Sequence, residues 1–136
     1  VERSRGLGDV YKRQSKRWNP VKINNLLDST CEACRVDAPK VTEEEIKELK
    51  PLVPSWEIIE NNQLRKLICS FAFSSYKEGV SFANKIADLA EQEDHHPEIL
   101  IEWGKVTVTW WSHKIKGLHK NDFIAAAKTD QIFSGS

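Results

Sequence analysis

Residues 98–111 read EILIEWGKVTVTWW. Ile99, Ile101 and Trp103 alternate with Leu100 and Glu102, a turn falls at Gly104-Lys105, and Val106, Val108 and Trp110 then alternate with Thr107, Thr109 and Trp111. Successive side chains of a strand point to opposite faces, so the stretch reads as a β-hairpin with one apolar face, Trp103 included. A hairpin joins antiparallel strands. Such a sheet commonly buries one face under helices and leaves the other to solvent.

The segments on either side supply the rest of the fold. Ser75-Tyr76-Lys77-Glu78 fits a capping box, and Tyr76, Val80, Ala83, Ala87 and Ala90 follow at helical spacing, flanked by Phe82, Ile86 and Leu89. The longest helix is therefore expected from Ser75 to about Gln92, ending where Asp94-His95-His96-Pro97 breaks the pattern. Upstream, Leu64 to Phe73 has the apolar content and length of one long strand, preceded by a strand near Trp56 and Ile58 and a turn at Asn61-Asn62. Thr42-Glu43-Glu44-Glu45 is another capping box, opening a short amphipathic helix with Ile46 and Leu49 on one face that stops at Pro51 and Pro54. A last helix is expected from Asn121 or Asp122, burying Phe123, Ile124, Ala127 and Ile132. The order α, β, β, α, β, β, α makes an α+β fold: a four-stranded antiparallel sheet with about three helices on one face.

The 136 residues suffice for one domain, expected over residues 41–136, with residues 1–40 as a largely flexible extension. Within that extension Ile23, Leu26 and Leu27 suggest one helical turn. Twenty basic and twenty acidic residues cancel, but Arg3, Arg5, Lys12, Arg13, Lys16 and Arg17 crowd the start, so the folded part is mildly acidic. That balance disfavours nucleic acid as a direct partner. No apolar run is long enough for a bilayer and the first residues lack a secretory signal, so no membrane association and a cytoplasmic location are expected. The Val1 start and the lack of methionine read as those of a processed or truncated chain. Cys31-x-x-Cys34 is half of a zinc knuckle without its partner pair, and Cys69 reads as a small buried hydrophobe.

Chemistry is concentrated in the histidines. His95 and His96 end the long helix, Glu91 lies one turn before His95, and one strand out and one back returns His113 towards the same end. Imidazole exchanges protons near neutrality, and a cluster of imidazoles suits a reaction that needs an acid and a base together. No nucleophile elbow, phosphate-binding loop or dinucleotide fingerprint is present, which leaves elimination or isomerisation by proton transfer. A His pair before proline also serves simply to end a helix, stabilised by the helix dipole. A three-nitrogen metal site is the other alternative, disfavoured because adjacent residues rarely aim both rings at one ion, so no metal is expected. His119, in a Lys-rich loop, reads as solvated. The tryptophans read mostly as core, with Trp56 and Trp111 less settled.

Glu91-x3-His95-His96-Pro97, followed by Trp103, His113 and Asp122, resembles the pterin-4a-carbinolamine dehydratase family from about Val41 to Ile132. The segment Cys31 to Val41 resembles the lead-in of its bacterial members, while Asn121 stands where some relatives carry a basic residue. The resemblance implies a carbon–oxygen lyase, 4a-hydroxytetrahydrobiopterin dehydratase, that recycles the pterin of aromatic amino acid hydroxylases and uses no cofactor. It implies His95 and His113 as proton donors, each serving one stereoisomer, His96 as pterin ligand and base at N5, and Glu91 as their orienting carboxylate. Trp56, Asp94, Pro97 and Asp122 would contact or line the substrate site. It also implies a homodimer or homotetramer. A dimerisation cofactor of a transcription factor, on the same fold, is the alternative role.

Overall fold

The computed structural model describes residues 26–28 and 40–135. The basic stretch at residues 1–20 and the Cys31 and Cys34 pair lie outside the described residues. Residues 26–28 form helix, as the apolar cluster suggests; Leu26 is 2% exposed within the core and Leu27 packs against it, so this part of residues 1–40 is joined to the domain.

The first helix, α1 (Glu43–Leu49), carries the expected capping box: Thr42 Oγ1 accepts from Glu45 N at 3.1 Å, and Thr42 N donates to the Glu45 carboxylate at 2.9 Å. Pro51 falls in a 3-10 turn (Lys50–Leu52) that ends it. Strands β1 (Glu57–Asn61) and β2 (Leu64–Ala72) are joined through Asn62 and Gln63, both left-handed, with φ of 54 and 66°. Helix α2 (Tyr76–Glu93), strands β3 (Glu98–Glu102) and β4 (Lys105–Trp110), and helix α3 (Lys120–Ser134) complete the chain. The four strands form one antiparallel sheet in the order β1-β2-β4-β3.

Pairing register decides which residues meet the helices. Leu67 lies opposite Trp110, Cys69 opposite Val108 and Phe71 opposite Val106, while Ile99 and Ile101 pair with Val108 and Val106. A one-residue slip would turn this apolar set to solvent. Phe82, Ile86 and Leu89 of α2 and Phe123, Ile124 and Ala127 of α3 bury the same face. Phe71, Phe82 and Phe133 have ring centroids 4.9–5.8 Å apart, within the range in which aromatic edges and faces attract. Gly79 permits the close approach of α2, since a Cβ there would stand 3.1 Å from the Val106 side chain.

Four expectations need correction. The buried side of α2 runs through Gly79, Phe82, Ala83, Ile86, Leu89 and Ala90, whereas Tyr76 and Ala87 face outward. Only half of its capping box forms: Ser75 Oγ accepts from Glu78 N, but the Glu78 carboxylate takes Ser74 N and Oγ. Trp103 sits in the β3–β4 turn, 74% exposed, because Gly104 at φ 76° reverses the chain one residue too early for Trp103 to join β3. His119 is 8% exposed and is the N-cap of α3, which begins at Lys120.

Trp56, placed before β1, is fully buried and donates Nε1–H to Asp130 of α3 at 2.9 Å. Burial raises the Asp130 carboxyl to about 6, although the Trp56 bond opposes the shift. The same environment pushes the Cys69 thiol up to about 12, mainly by burial and further through Asp130 and Glu57, in keeping with an unreactive core thiol. A raised acid favours the folded state while protonated. Its contribution is therefore complete below about pH 4 and is lost as pH rises through about 6, a difference of about 3 kcal/mol. Asp130→Asn keeps an acceptor for Trp56 without the charge. It is expected to raise stability at pH 7 and to flatten the stability profile between pH 4 and 7, as read by urea unfolding; an unchanged profile would contradict this assignment.

Candidate functional site

The end of α2, the start of β3, the end of β4 and the start of α3 meet at one end of the sheet. Helix α2 stops at Asp94, a left-handed cap (φ 52°, ψ 42°), and the N–H groups of Asp94 and His95 both bond to the Ala90 carbonyl. Asp tolerates this conformation better than most residues with a Cβ, and the reversal sends His95 and His96 in different directions.

His95 turns inward. It is 5% exposed, stacks on Trp110 with centroids 5.3 Å apart, and places Nε2 2.7 Å from Asp122 Oδ1. Asp122, from the first turn of α3, is fully buried; its other oxygen accepts from Ser112 Oγ at 3.0 Å and from His119 N at 2.9 Å. A carboxylate accepts only, so the ring must donate from Nε2, which leaves Nδ1 without a hydrogen-bond partner among the described residues. His119 in turn accepts the Asn121 amide on Nδ1, completing the cap that sets the direction of α3.

His96 turns outward, 55% exposed, with Nε2 2.6 Å from the Glu91 carboxylate. Glu91 lies one turn before His95 in the sequence, but the cap at Asp94 gives its carboxylate to His96. His113 is exposed and places Nε2 3.2 Å from the His96 carbonyl, which fixes that nitrogen as a donor too. Its ring lies 4.3 Å from that of Trp111, and Lys66 Nζ stands 3.9 Å from the Trp111 ring centroid, a cation–π contact on the outer sheet face. The imidazoles thus straddle the end of the sheet: His95 beside inward Trp110, His113 beside outward Trp111, and His96 between them in the chain.

The remaining candidates divide. Asp94 and Pro97 flank the His95-His96 pair on the same loop, exposed and half-buried respectively. Asp122 touches His95 but reaches no solvent, and Trp56 is committed to the core and to Asp130. Ser112, His119, Trp111 and Lys66 were not among the expected site residues, yet each contacts one that was, or supports its partner. A cleft of about 280 Å³ lies between the β1–β2 turn and the 112–117 turn, lined by Lys40, Gln63, Arg65 and Lys116 among others; none of the histidines lines it. Among the described residues, no group of three or more His, Cys, Asp or Glu is arranged to hold a metal ion.

The two carboxylates carry different structural weight. Asp122→Ala strands three buried donors and should cost about 3 kcal/mol or more of folding free energy, whereas Glu91→Ala breaks an exposed pair and should change it by less than about 0.5 kcal/mol. Urea unfolding of the two variants checks this, and equal losses would contradict it.

The family described as Pterin 4 alpha carbinolamine dehydratase matches residues 39–132, which include the whole sheet and every histidine. A protein of Nitrosococcus oceani named "Putative pterin-4-alpha-carbinolamine dehydratase" is 59% identical over 110 residues, 81% of this chain and 97% of that one. The crystal structure of a "transcriptional coactivator/pterin dehydratase" from Brucella melitensis superposes with a TM-score of 0.62 at 28% identity, over 69% of this chain and 98% of that one. A "pterin dehydratase-like protein" described as a RuBisCO assembly factor in the alpha-carboxysome gives a TM-score of 0.50 at 26% identity, over 60% and 92%. The family match over most of the chain and the 59% identity place this protein in the pterin-4-alpha-carbinolamine dehydratase family.

Proposed function

We propose that the chain eliminates water from 4a-hydroxytetrahydrobiopterin to give quinonoid dihydropterin, recycling the pterin used by an aromatic amino acid hydroxylase. The observation that carries this reading is the way the three imidazoles are held. Each has Nε2 engaged, by Asp122, by Glu91 or by the His96 carbonyl. A ring fixed through one nitrogen can take or release a proton at the other without losing its orientation.

Dehydration of a carbinolamine needs little more. An imidazolium, His95 or His113, protonates the 4a-hydroxyl; the C4a–O bond breaks and water departs. The N5 lone pair forms the C4a=N5 double bond, and a neutral imidazole, His96, removes the N5 proton. Protons and electron pairs balance without any external oxidant, reductant or metal. The proton bound at N5 and the proton delivered to oxygen differ in position, which explains the use of more than one ring. Glu91 holds His96, Asp122 holds His95, and Asp94 and Pro97 place the segment between them. A cytoplasmic setting and a homodimer or homotetramer belong to the same reading; among the described residues, no helix is long and apolar enough to cross a membrane.

An interaction module on the same fold is the second reading. It draws on Leu100 and Trp103, 55% and 74% exposed, and on the coactivator and assembly-factor roles stated for the two structural relatives.

Dehydration of chemically generated 4a-hydroxytetrahydrobiopterin, followed by stopped flow, separates the two. The enzyme is expected to exceed the uncatalysed rate, with His95→Ala and His113→Ala each lowering kcat by about a hundredfold and His96→Ala affecting both kcat and KM. A folded wild-type chain that gives no acceleration would overturn the dehydratase reading and favour the interaction module.

A further inference from the structure

The β4 alternation continues past its last paired residue. Val106, Val108 and Trp110 face the helices, and Ser112 has the same parity and is fully buried. Its backbone is pinned by Gly117: Ser112 N donates to the Gly117 carbonyl at 2.9 Å, and Gly117 N returns a longer bond of 3.4 Å. With the backbone fixed, the hydroxyl donates to Asp122 Oδ2 at 3.0 Å.

The distribution of donors over Asp122 is unequal. Among the described residues, Oδ2 receives Ser112 Oγ and His119 N, whereas Oδ1 receives only His95 Nε2. Two donors converging on one oxygen from different elements fix rotation about the carboxylate axis, and the second oxygen is thereby aimed at the imidazole. Without the hydroxyl, the His119 amide is the one donor left on Oδ2 among the described residues, and the carboxylate gains freedom to turn. His95 would then be held less firmly in the Nε2–H form that directs Nδ1 away from the carboxylate.

We infer that Ser112 is a positioning residue for His95, acting through Asp122. The inference builds on the dehydratase reading for its kinetic consequence, while its structural consequence stands apart. In metal sites, losing the partner behind a histidine ligand commonly costs about ten- to a hundredfold in activity, and a comparable loss is expected for an imidazole that moves protons. Ser112 has no route to the substrate of its own, so the loss belongs in kcat.

Ser112→Ala and Ser112→Thr, compared with wild type, test this through dehydration kinetics and through the ¹⁵N shifts of the His95 ring. Ser112→Ala is expected to lower kcat about tenfold with KM changed by less than about twofold, and to move the His95 ring nitrogens from a single Nε2–H tautomer towards a mixture. Ser112→Thr, which returns the hydroxyl, should restore both. Should Ser112→Ala fail to fold, Ser112→Cys retains the volume with a weaker donor and serves in the same comparison. Unchanged ring shifts in Ser112→Ala, or a wild-type kcat, would overturn the inference even if the melting temperature fell. If wild type itself shows no dehydration, it is the dehydratase reading that fails, and the ring shifts still decide the role of Ser112.

Discussion

A carboxylate with no access to water is tolerable only when its charge and lone pairs are matched, and at Asp122 that requirement organises one end of the molecule. Its donors come from three places in the chain: the loop after α2 through His95, the end of β4 through Ser112, and the cap of α3 through His119. The first turn of a helix favours a negative charge, so α3 contributes through its dipole as well. Ordering these segments around one group fixes the inner imidazole before any substrate arrives. The sheet register and the helix packing then only have to deliver the three segments to the same place.

The same end of the molecule mixes rigidity and freedom. His95 is packed against Trp110 and bonded to a buried carboxylate, whereas His96 and His113 are exposed, held by a surface carboxylate, a backbone carbonyl and the Trp111 ring. Exposed pairs of this kind contribute little to folding, so the outer rings can adjust to a ligand at small cost. Under the proposed elimination, which needs an acid and a base at different atoms, His95 would be the fixed proton-transfer group and its neighbours the ones that adapt.

Much of this was legible in the sequence, and the reasons are specific. The two-residue alternation at 98–111 and the helical spacing after Ser75 gave the elements, because burial on one face leaves a periodic trace. Strand length and one turn return His113 to the His96 carbonyl, at 3.2 Å, as the sequence spacing suggests. What alternation could not show was where a turn cuts it: Trp103 fits the pattern and lies outside it, since Gly104 reverses the chain there. Pairing of Glu91 with His96 instead of His95 depends on the left-handed Asp94, which helical spacing does not encode. A Lys-rich neighbourhood suggests solvent for His119, and histidine is an unusual N-cap; the His119-x-x-Asp122 spacing is that of a capping box, with neither end of the usual residue type. Ser112 could have been found by continuing the β4 parity two residues further.

In the proposed dehydratase, three imidazoles held from behind by different partners act on one ligand at the end of the sheet. The most direct test is a titration of the ¹⁵N-labelled protein with 7,8-dihydrobiopterin, a non-reacting pterin, followed at the histidine ring signals. The rings of His95, His96 and His113 are expected to shift together along one saturable curve while His119, the buried cap, stays still. Saturable binding that leaves these three rings unmoved, or three rings with unrelated curves, would contradict it.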